Sequence, residues 1–299
     1  MSSPIHYTTC PACDSSDIHR VLESKDHTVS HKTFEIWECA RCTMRFTQDV
    51  PPQNDIAAYY QSENYISHSN TSQGLVNRLY HRVRERSLKN KRKLVQSYSN
   101  AESMPRLLDV GCGIGAFMGH MRQHGWLVEG VEPSDSARGM AAEQYGLFVY
   151  PPDKFFDTSF GDFDIITMWH VLEHVHLLNE YMDRLKELLR PQGVLFIAVP
   201  NYTSLDASKY KENWAAYDVP RHLYHFSPDS MRLLVEKHGM QLKAVKPMWF
   251  DSFYVSMLSE KYKTGKDSVL KGGIMGSISN INTLFNKEQC SSLIYVIGK

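Results

Sequence analysis

Arg106-Leu-Leu-Asp-Val-Gly-Cys-Gly-Ile-Gly115 is the stretch whose reading fixes the fold. Leu107, Leu108 and Val110 read as a short buried strand, and Gly111, Gly113 and Gly115 open a tight turn into a helix over Ala116–His124. Glycine suits that junction because the backbone must bend sharply and admit a ligand where a side chain would collide. A second strand, Leu127–Val131, follows and ends on Glu132, a carboxylate placed to accept hydrogen bonds from ribose hydroxyls. The unit reads as a nucleoside-binding strand–loop–helix–strand. Its loop runs G-x-G-x-G after Asp109, shorter than the G-x-G-x-x-G that seats a pyrophosphate, and holds no Lys or Arg to draw a phosphate. Asp109 and the strand-end carbonyls favour a ligand bearing an ammonium group.

Downstream, Phe163–Trp169 reads as another strand, followed by His170-Val-Leu-Glu-His-Val175 and an amphipathic helix over about Leu177–Leu189. The turn Arg190-Pro-Gln-Gly193 and a strand over Val194–Val199 come next, ending at Pro200-Asn201. With D-V-G-C-G-I-G, V-E-P, F-D-I-I, L-E-H-V, L-L-R-P-Q-G-V-L and V-P-N in this order, the chain from about Met104 onward resembles the class I S-adenosylmethionine-dependent methyltransferases. The resemblance implies an α/β fold with a Rossmann-like, seven-stranded methyltransferase sheet. It implies S-adenosylmethionine as cofactor, held by Asp109, Gly111, Gly113, Gly115 and Glu132, with Trp169 and His170 beside the adenosine and methionyl groups. It also implies that Gln241–Lys246 and Ser291–Ile297 form a closing antiparallel hairpin that inserts the last strand into the sheet.

A chain of 299 residues accommodates one sizeable α/β domain and a small appendage. Lys plus Arg number 33 and Asp plus Glu number 33, so no global field points to nucleic acid or an acidic partner. Mean hydropathy is negative and no apolar run reaches the ~18 residues of a spanning helix. Met1–Ser30 lacks the basic-then-apolar pattern of a secretory signal, and the expected compartment is the cytoplasm.

Cys10-Pro-Ala-Cys13 and Cys39-Ala-Arg-Cys42 form two C-x-x-C pairs, whereas Cys112 and Cys290 stand alone. Two residues between thiolates let each turn direct both sulfurs at one ion, and four sulfurs saturate zinc. The expected site is therefore a structural zinc ribbon over residues 1–50 with Cys10, Cys13, Cys39 and Cys42 as ligands, and Phe34–Glu38 as a strand leading into the second pair. Such a ribbon either grips nucleic acid or buttresses a substrate site.

Residues 51–103 read as a linker, opened by Pro51-Pro52 and bearing Tyr59, Tyr60 and Tyr65, and then a helix over Leu75–Tyr98. Leu75, Leu79 and Val83, with Val76 and Tyr80, recur at helical spacing. Between Arg78 and Lys93 stand eight Lys or Arg and one Glu, a basic face that is either simply solvated or a grip on an anionic acceptor. The family resemblance implies a helix that caps the cofactor site.

The segment 201–227 is long for a link and holds Trp214, Tyr217, Asp218, Arg221, His222, Tyr224 and His225. Long connections at this edge of a parallel sheet are where open α/β enzymes place substrate groups. Ser227 and Pro228 mark the start of a helix. The stretch is similar to one in zinc-ribbon methyltransferases, some of them sugar C-methyltransferases, where a matching histidine acts as base. That comparison makes His222 the first candidate base and His225 the second; Val219 stands where those enzymes carry a tyrosine. Glu173 and His174 read as residues that order the turn after the fourth strand. In the insertion 249–290, Leu270, Ile274, Ile278, Ile281, Leu284 and Phe285 share a helical stripe loosened by Gly272, Gly273 and Gly276. A lid, a self-association surface or a shallow membrane contact would each explain it.

These readings converge on methyl transfer from S-adenosylmethionine to a small or medium polar acceptor such as a sugar or cell-surface precursor. The alternatives are an RNA methyltransferase gripping RNA with ribbon and basic helix, and a non-catalytic binding module.

Overall fold

The computed structural model describes residues 3–60, 75–100, 104–157, 159–266 and 268–299, and for residues 75–82 the backbone alone. Tyr65 and the side chains of Leu75, Val76, Leu79 and Tyr80 lie outside that description. The strands β1 (Ile18–Lys25), β2 (Thr33–Cys39) and β3 (Arg45–Thr47) come first, then the basic helix α1 (Leu75–Gln96). Next β4 (Arg106–Val110), α2 (Ala116–Arg122), β5 (Leu127–Val131), α3 (Asp135–Tyr145), β6 (Phe163–Trp169), α4 (Leu178–Leu188) and β7 (Leu189–Pro200) follow. That alternation builds a parallel sheet with helical crossovers. The chain continues with α5 (Leu205–Tyr210), β8 (Tyr224–His225), α6 (Pro228–Lys237), β9 (Gln241–Pro247), α7 (Asp251–Thr264), α8 (Val269–Phe285) and β10 (Ser292–Gly298).

Six strands form the main sheet in the order β5-β4-β6-β7-β10-β9, with β4 parallel to both its neighbours. The last strand is indeed inserted between β7 and β9. Seven strands were expected; at the seventh position Tyr150 makes a single parallel bridge to Val131 beyond β5. Its amide donates to the Gly130 carbonyl at 2.8 Å and its carbonyl accepts from Glu132 at 3.0 Å. Pro151 and Pro152 follow at once, and a proline has no N–H to extend the ladder. The turn expected at Arg190–Gly193 is likewise corrected. The chain is already extended from Leu189, with the Arg190 guanidinium paired to Asp164 at 2.8 Å.

The chain divides into two compact units, residues 66–169, 183–197 and 297–299, and residues 1–65, 170–182 and 198–296. The first holds α1, the glycine loop and α2–α3. Ser134 caps α3 by accepting from Ala137 N at 3.2 Å, and Gly146 closes it in a left-handed conformation. Val95 of α1 is fully buried, and Tyr98 meets Phe196 edge-on at 5.8 Å.

The second unit holds a four-stranded sheet, β1-β2-β3-β8, in which β3 pairs with β2 on one side and with β8 of the 201–227 segment on the other. That segment is therefore folded and strand-paired, not an open loop. It contains α5 and two 3₁₀ turns, and Trp214, Tyr217 and Tyr224 are among its most deeply buried side chains. Asp206 ties it together by accepting from the Trp214 indole at 2.9 Å, Ser279 at 2.9 Å and Ser291 at 2.7 Å.

In the insertion, α7 and α8 pack through small residues, Ser252, Ser256 and Ser259 against Gly272, Gly276, Ser279 and Thr283. The two buried glycines do not loosen α8 but let it approach. A Cβ on Gly272 would lie 2.5 Å from the Met257 Cα, and one on Gly276 2.8 Å from the Phe253 Cα.

Candidate active site

Gly111, Gly113 and Gly115 all adopt positive φ, at 70°, 54° and 76°, so the loop after β4 takes a path that side chains disfavour three times over. The Gly111 amide donates to the Val131 carbonyl at 2.7 Å, and Gly115 is the N-cap of α2. Glu132 is buried at the tip of β5. One of its oxygens accepts from Gly113 N and the other from Ser134 N, each at 2.9 Å. An ionised carboxylate offers about four acceptor sites, so two remain for a vicinal diol. A Cβ built on Gly113 would meet no atom of the described residues within 4 Å, which leaves a cradle above the loop.

Asp109 is paired across the sheet with Thr167 by the β4–β6 register, and Thr167 Oγ1 donates to it at 2.6 Å. Burial pushes its carboxyl up to about 7, against the Thr167 hydrogen bond and the Lys91 charge. Lys91, from the basic face of α1, stands with its ammonium 4.3 Å from the centroid of the Trp169 ring. One of the eight positive charges counted in the sequence is thus turned inward. Trp169 also meets Phe117 edge-on at 5.5 Å, and its buried indole Nε1 has no hydrogen-bond partner among the described residues. An orphaned donor, an open glycine cradle and a half-committed carboxylate fit an adenosyl group well.

A second constellation lies in the other unit and is built on buried charge. His170, expected beside the cofactor, has both ring nitrogens engaged by carboxylates: Nε2 lies 2.8 Å from Asp251 and Nδ1 3.4 Å from Glu173. Burial opposes its charge, but those two anions outweigh that and hold its pKa at about 10. Glu173 is wholly buried, and neither carboxylate oxygen accepts a well-formed hydrogen bond from the described residues. Burial would raise its pKa, yet the His170 cation keeps it low.

His222 donates from Nδ1 to the Ala216 carbonyl at 2.8 Å, which leaves Nε2 as the nitrogen able to exchange a proton. Nε2 lies 3.9 Å from Asp218, itself clamped by Arg221, whose Nε donates at 2.9 Å and whose Nη2 bonds the other oxygen. Arg221 is buried and also donates to the Tyr59 carbonyl at 2.8 Å. His174 stacks edge-on to His222 at 4.5 Å and donates from Nδ1 to the Arg221 carbonyl at 3.0 Å, with Tyr60 OH at the same distance. Burial, and then His222, push His174 down to about 4, so it stays neutral.

His225 has a different setting. Thr47 Oγ1 gives its single proton to the His222 carbonyl at 2.7 Å and so accepts from His225 Nε2 at 3.1 Å. The ring packs edge-on against Tyr217 at 5.0 Å, and burial keeps it neutral. His225 is thereby part of the β3–β8 packing, while His222 Nε2 makes no hydrogen bond to the described residues and faces Asp218 at 3.9 Å. Glu173, Asp218 and Asp251 escaped recognition as an anionic cluster, because only the fold sets Asp251 beside His170. The L-E-H run was the one local signal.

The four cysteines come together at the N-terminus. Cys10 N donates to Ser15 O and Asp14 N to Cys10 O; Cys39 N donates to Met44 O and Thr43 N to Cys39 O, so the two knuckles repeat one hydrogen-bond pattern. The sulfurs of Cys10 and Cys42 are 3.5 Å apart, those of Cys13 and Cys39 are 3.6 Å apart, and all four lie within 4.8 Å of one another. Sulfurs bound to one tetrahedral zinc stand about 3.8 Å apart. The donor set suits Zn²⁺. Glu173, His174 and His222 also lie within 4.8 Å of one another, but the His170 cation already faces Glu173.

A methyltransferase-domain family model matches residues 75–245. The ubiquinone biosynthesis O-methyltransferase of Nitrosococcus oceani is 29% identical over 177 residues, which is 54% of this chain and 72% of that protein. The enzyme of the same name from Caulobacter vibrioides is 34% identical over 105 residues, covering 32% of this chain and 41% of its own length. Among solved structures, a SAM-dependent methyltransferase from Archaeoglobus fulgidus aligns with a TM-score of 0.49 at 17% identity, over 72% of this chain and 94% of that one. Magnesium protoporphyrin IX methyltransferase from Synechocystis, with bound SAH, gives a TM-score of 0.49 at 14% identity, over 77% and 89%.

Proposed function

The chain belongs to the S-adenosylmethionine-dependent methyltransferases, and from that premise we propose that it methylates a hydroxyl oxygen of a small or medium-sized polar acceptor. The bound cofactor would supply an electrophilic methyl group on a sulfonium sulfur. The glycine loop and Glu132 would hold its adenosyl part, Glu132 through the two acceptor sites left beside Gly113 N and Ser134 N. Asp109 would set the local charge and Trp169 would offer its orphaned donor. His222 would take the acceptor's proton at Nε2, and Asp218 would stabilise the resulting imidazolium. Glu173 and His170 would keep the neighbouring charges fixed while the proton moves. A four-thiolate zinc site would be structural, since it leaves no open coordination position.

The observation that carries the O-methylation reading is the hydrogen bond from His222 Nδ1 to the Ala216 carbonyl, which leaves Nε2 able to exchange a proton. A hydroxyl or C–H acceptor needs such a base, whereas an amine does not, and the names of the relatives favour oxygen over carbon. A sugar or cell-surface precursor and a ring-borne hydroxyl both meet this description; the named relatives carry the name O-methyltransferase of ubiquinone biosynthesis, and the cytoplasm suits reduced thiolates. The test is transfer of labelled methyl from S-adenosylmethionine to sugar nucleotides and to catechols. Label on an oxygen supports the proposal; label found only on nitrogen or carbon products overturns it.

The cofactor arm has its own check. Glu132→Ala is expected to weaken S-adenosylhomocysteine binding by roughly 1–3 kcal/mol, the scale for hydrogen bonds to a charged group. The variant also frees the Gly113 amide, so the loop loses its tether. Calorimetry in which NAD binds more tightly than S-adenosylhomocysteine to the wild type would contradict the loop assignment.

A further inference from the structure

An amphipathic helix ordinarily turns its apolar stripe to the core. In α8 the arrangement is reversed. Gly272, Gly276, Ser279 and Thr283 are its buried residues, while Leu270, Ile274, Ile278, Ile281, Leu284 and Phe285 are exposed, from 47% at Ile278 to 88% at Phe285. At 100° per residue the six exposed side chains span roughly 120° of arc, opposite the buried face. Tyr254 of α7 adds an exposed aromatic ring at 62%. A contiguous apolar surface of this kind marks an interaction site.

The charges around it decide the occupant. Helix α8 carries no acidic residue, and its one cation, Lys271, borders the stripe. Lys263 and Lys266 precede it, Lys287 follows it, and all four lysines are exposed. Of the nearby described carboxylates, Glu260 is half-buried on α7 and Glu288 lies 3.6 Å from Arg232. Two copies of such a face would bring lysines against lysines, whereas anionic headgroups would meet them favourably. We propose that the exposed face of α8 docks on an anionic phospholipid surface, with the stripe seated at the acyl boundary and the lysines among the headgroups. Among the described residues no helix is long and apolar enough to cross a membrane, and the proposed contact is a shallow one.

The test is cosedimentation of the full chain with vesicles of three parts phosphatidylcholine to one part phosphatidylglycerol, and with phosphatidylcholine alone. The wild type should pellet with the anionic vesicles and largely stay in solution with the neutral ones. Ile278→Ser combined with Leu284→Ser should weaken that binding at least about tenfold. Lys266→Glu combined with Lys271→Glu should weaken it by a similar factor. Both pairs are exposed, so the variants should bind S-adenosylhomocysteine as the wild type does, a readout that stands or falls with the cofactor site alone. Wild type remaining in solution with anionic vesicles, equal binding to both vesicle types, or undiminished binding by the Ile278/Leu284 variant would each overturn the proposal. So would light scattering showing a dimer that the same variant dissociates, because the face would then be covered by a second copy.

Discussion

Replacing His222 with alanine is expected to lower kcat by roughly 10²–10⁴-fold, the usual contribution of a positioned base, while the Kd for S-adenosylhomocysteine stays unchanged. The reason is local. The ring is nearly buried, its Nδ1 is spent on the Ala216 carbonyl, and only Nε2 is left for a proton. The substitution frees that carbonyl, at a stability cost of about 1–3 kcal/mol, so melting curves must accompany the kinetics. An acceptor analogue bearing a thiol, assayed at about pH 9 where most of it is thiolate, should restore most of the rate because it then needs no base. Loss of turnover with both acceptors would assign His222 to structure instead. His225→Ala should behave differently, costing stability through the Thr47 and Tyr217 contacts and sparing the rate with the thiol.

Short-range spacing carried most of what was legible in the sequence. The glycine trio, Glu132 and the ends of β5 and β6 were read from runs of a few residues, and the structure places all three glycines at positive φ. The cysteine pairs were legible for the same reason, since each knuckle is a local turn. What escaped needed contacts between distant segments. Trp214 and Tyr217 have the chemistry of a substrate site, yet they fill the cluster around Ile36, Tyr202 and Tyr210. Asp251 belongs to the insertion, and nothing in its neighbours announces His170. The stripe of α8 was visible as a period, but period alone does not say which face turns inward. Small residues on the opposite face decided it, because they allow a closer helix–helix approach than leucine or isoleucine would. The basic helix shows the converse limit. Its charge was counted correctly, but only the fold shows Lys91 turned to Trp169 and Asp109 while Arg86 faces solvent.

The second large effect follows from the pairing of β3 with β8, which links the cysteine knuckles to the base. Cys39 ends β2, the second knuckle runs directly into β3, and Thr47 at the end of β3 holds the backbone of His222 and Leu223. Its Oγ1 donates to the His222 carbonyl at 2.7 Å and its amide donates to the Leu223 carbonyl at 2.9 Å. Purified protein should therefore contain about one zinc ion per chain, and Cys39→Ser should abolish that content. A displacement of about 1 Å at a positioned catalytic group costs on the order of 100-fold, so kcat in the zinc-free variant should fall by that scale. The Kd for S-adenosylhomocysteine should hold within about twofold, because the loop hydrogen bonds of Gly111 and Gly113 run to Val131 and Glu132, not to the knuckles. Zinc content, kcat and calorimetric Kd measured on one preparation separate the outcomes. An unchanged kcat without zinc would make the ribbon a bystander to catalysis. A Kd that collapses in step with kcat would mean that the ion holds the whole chain together, not the base alone.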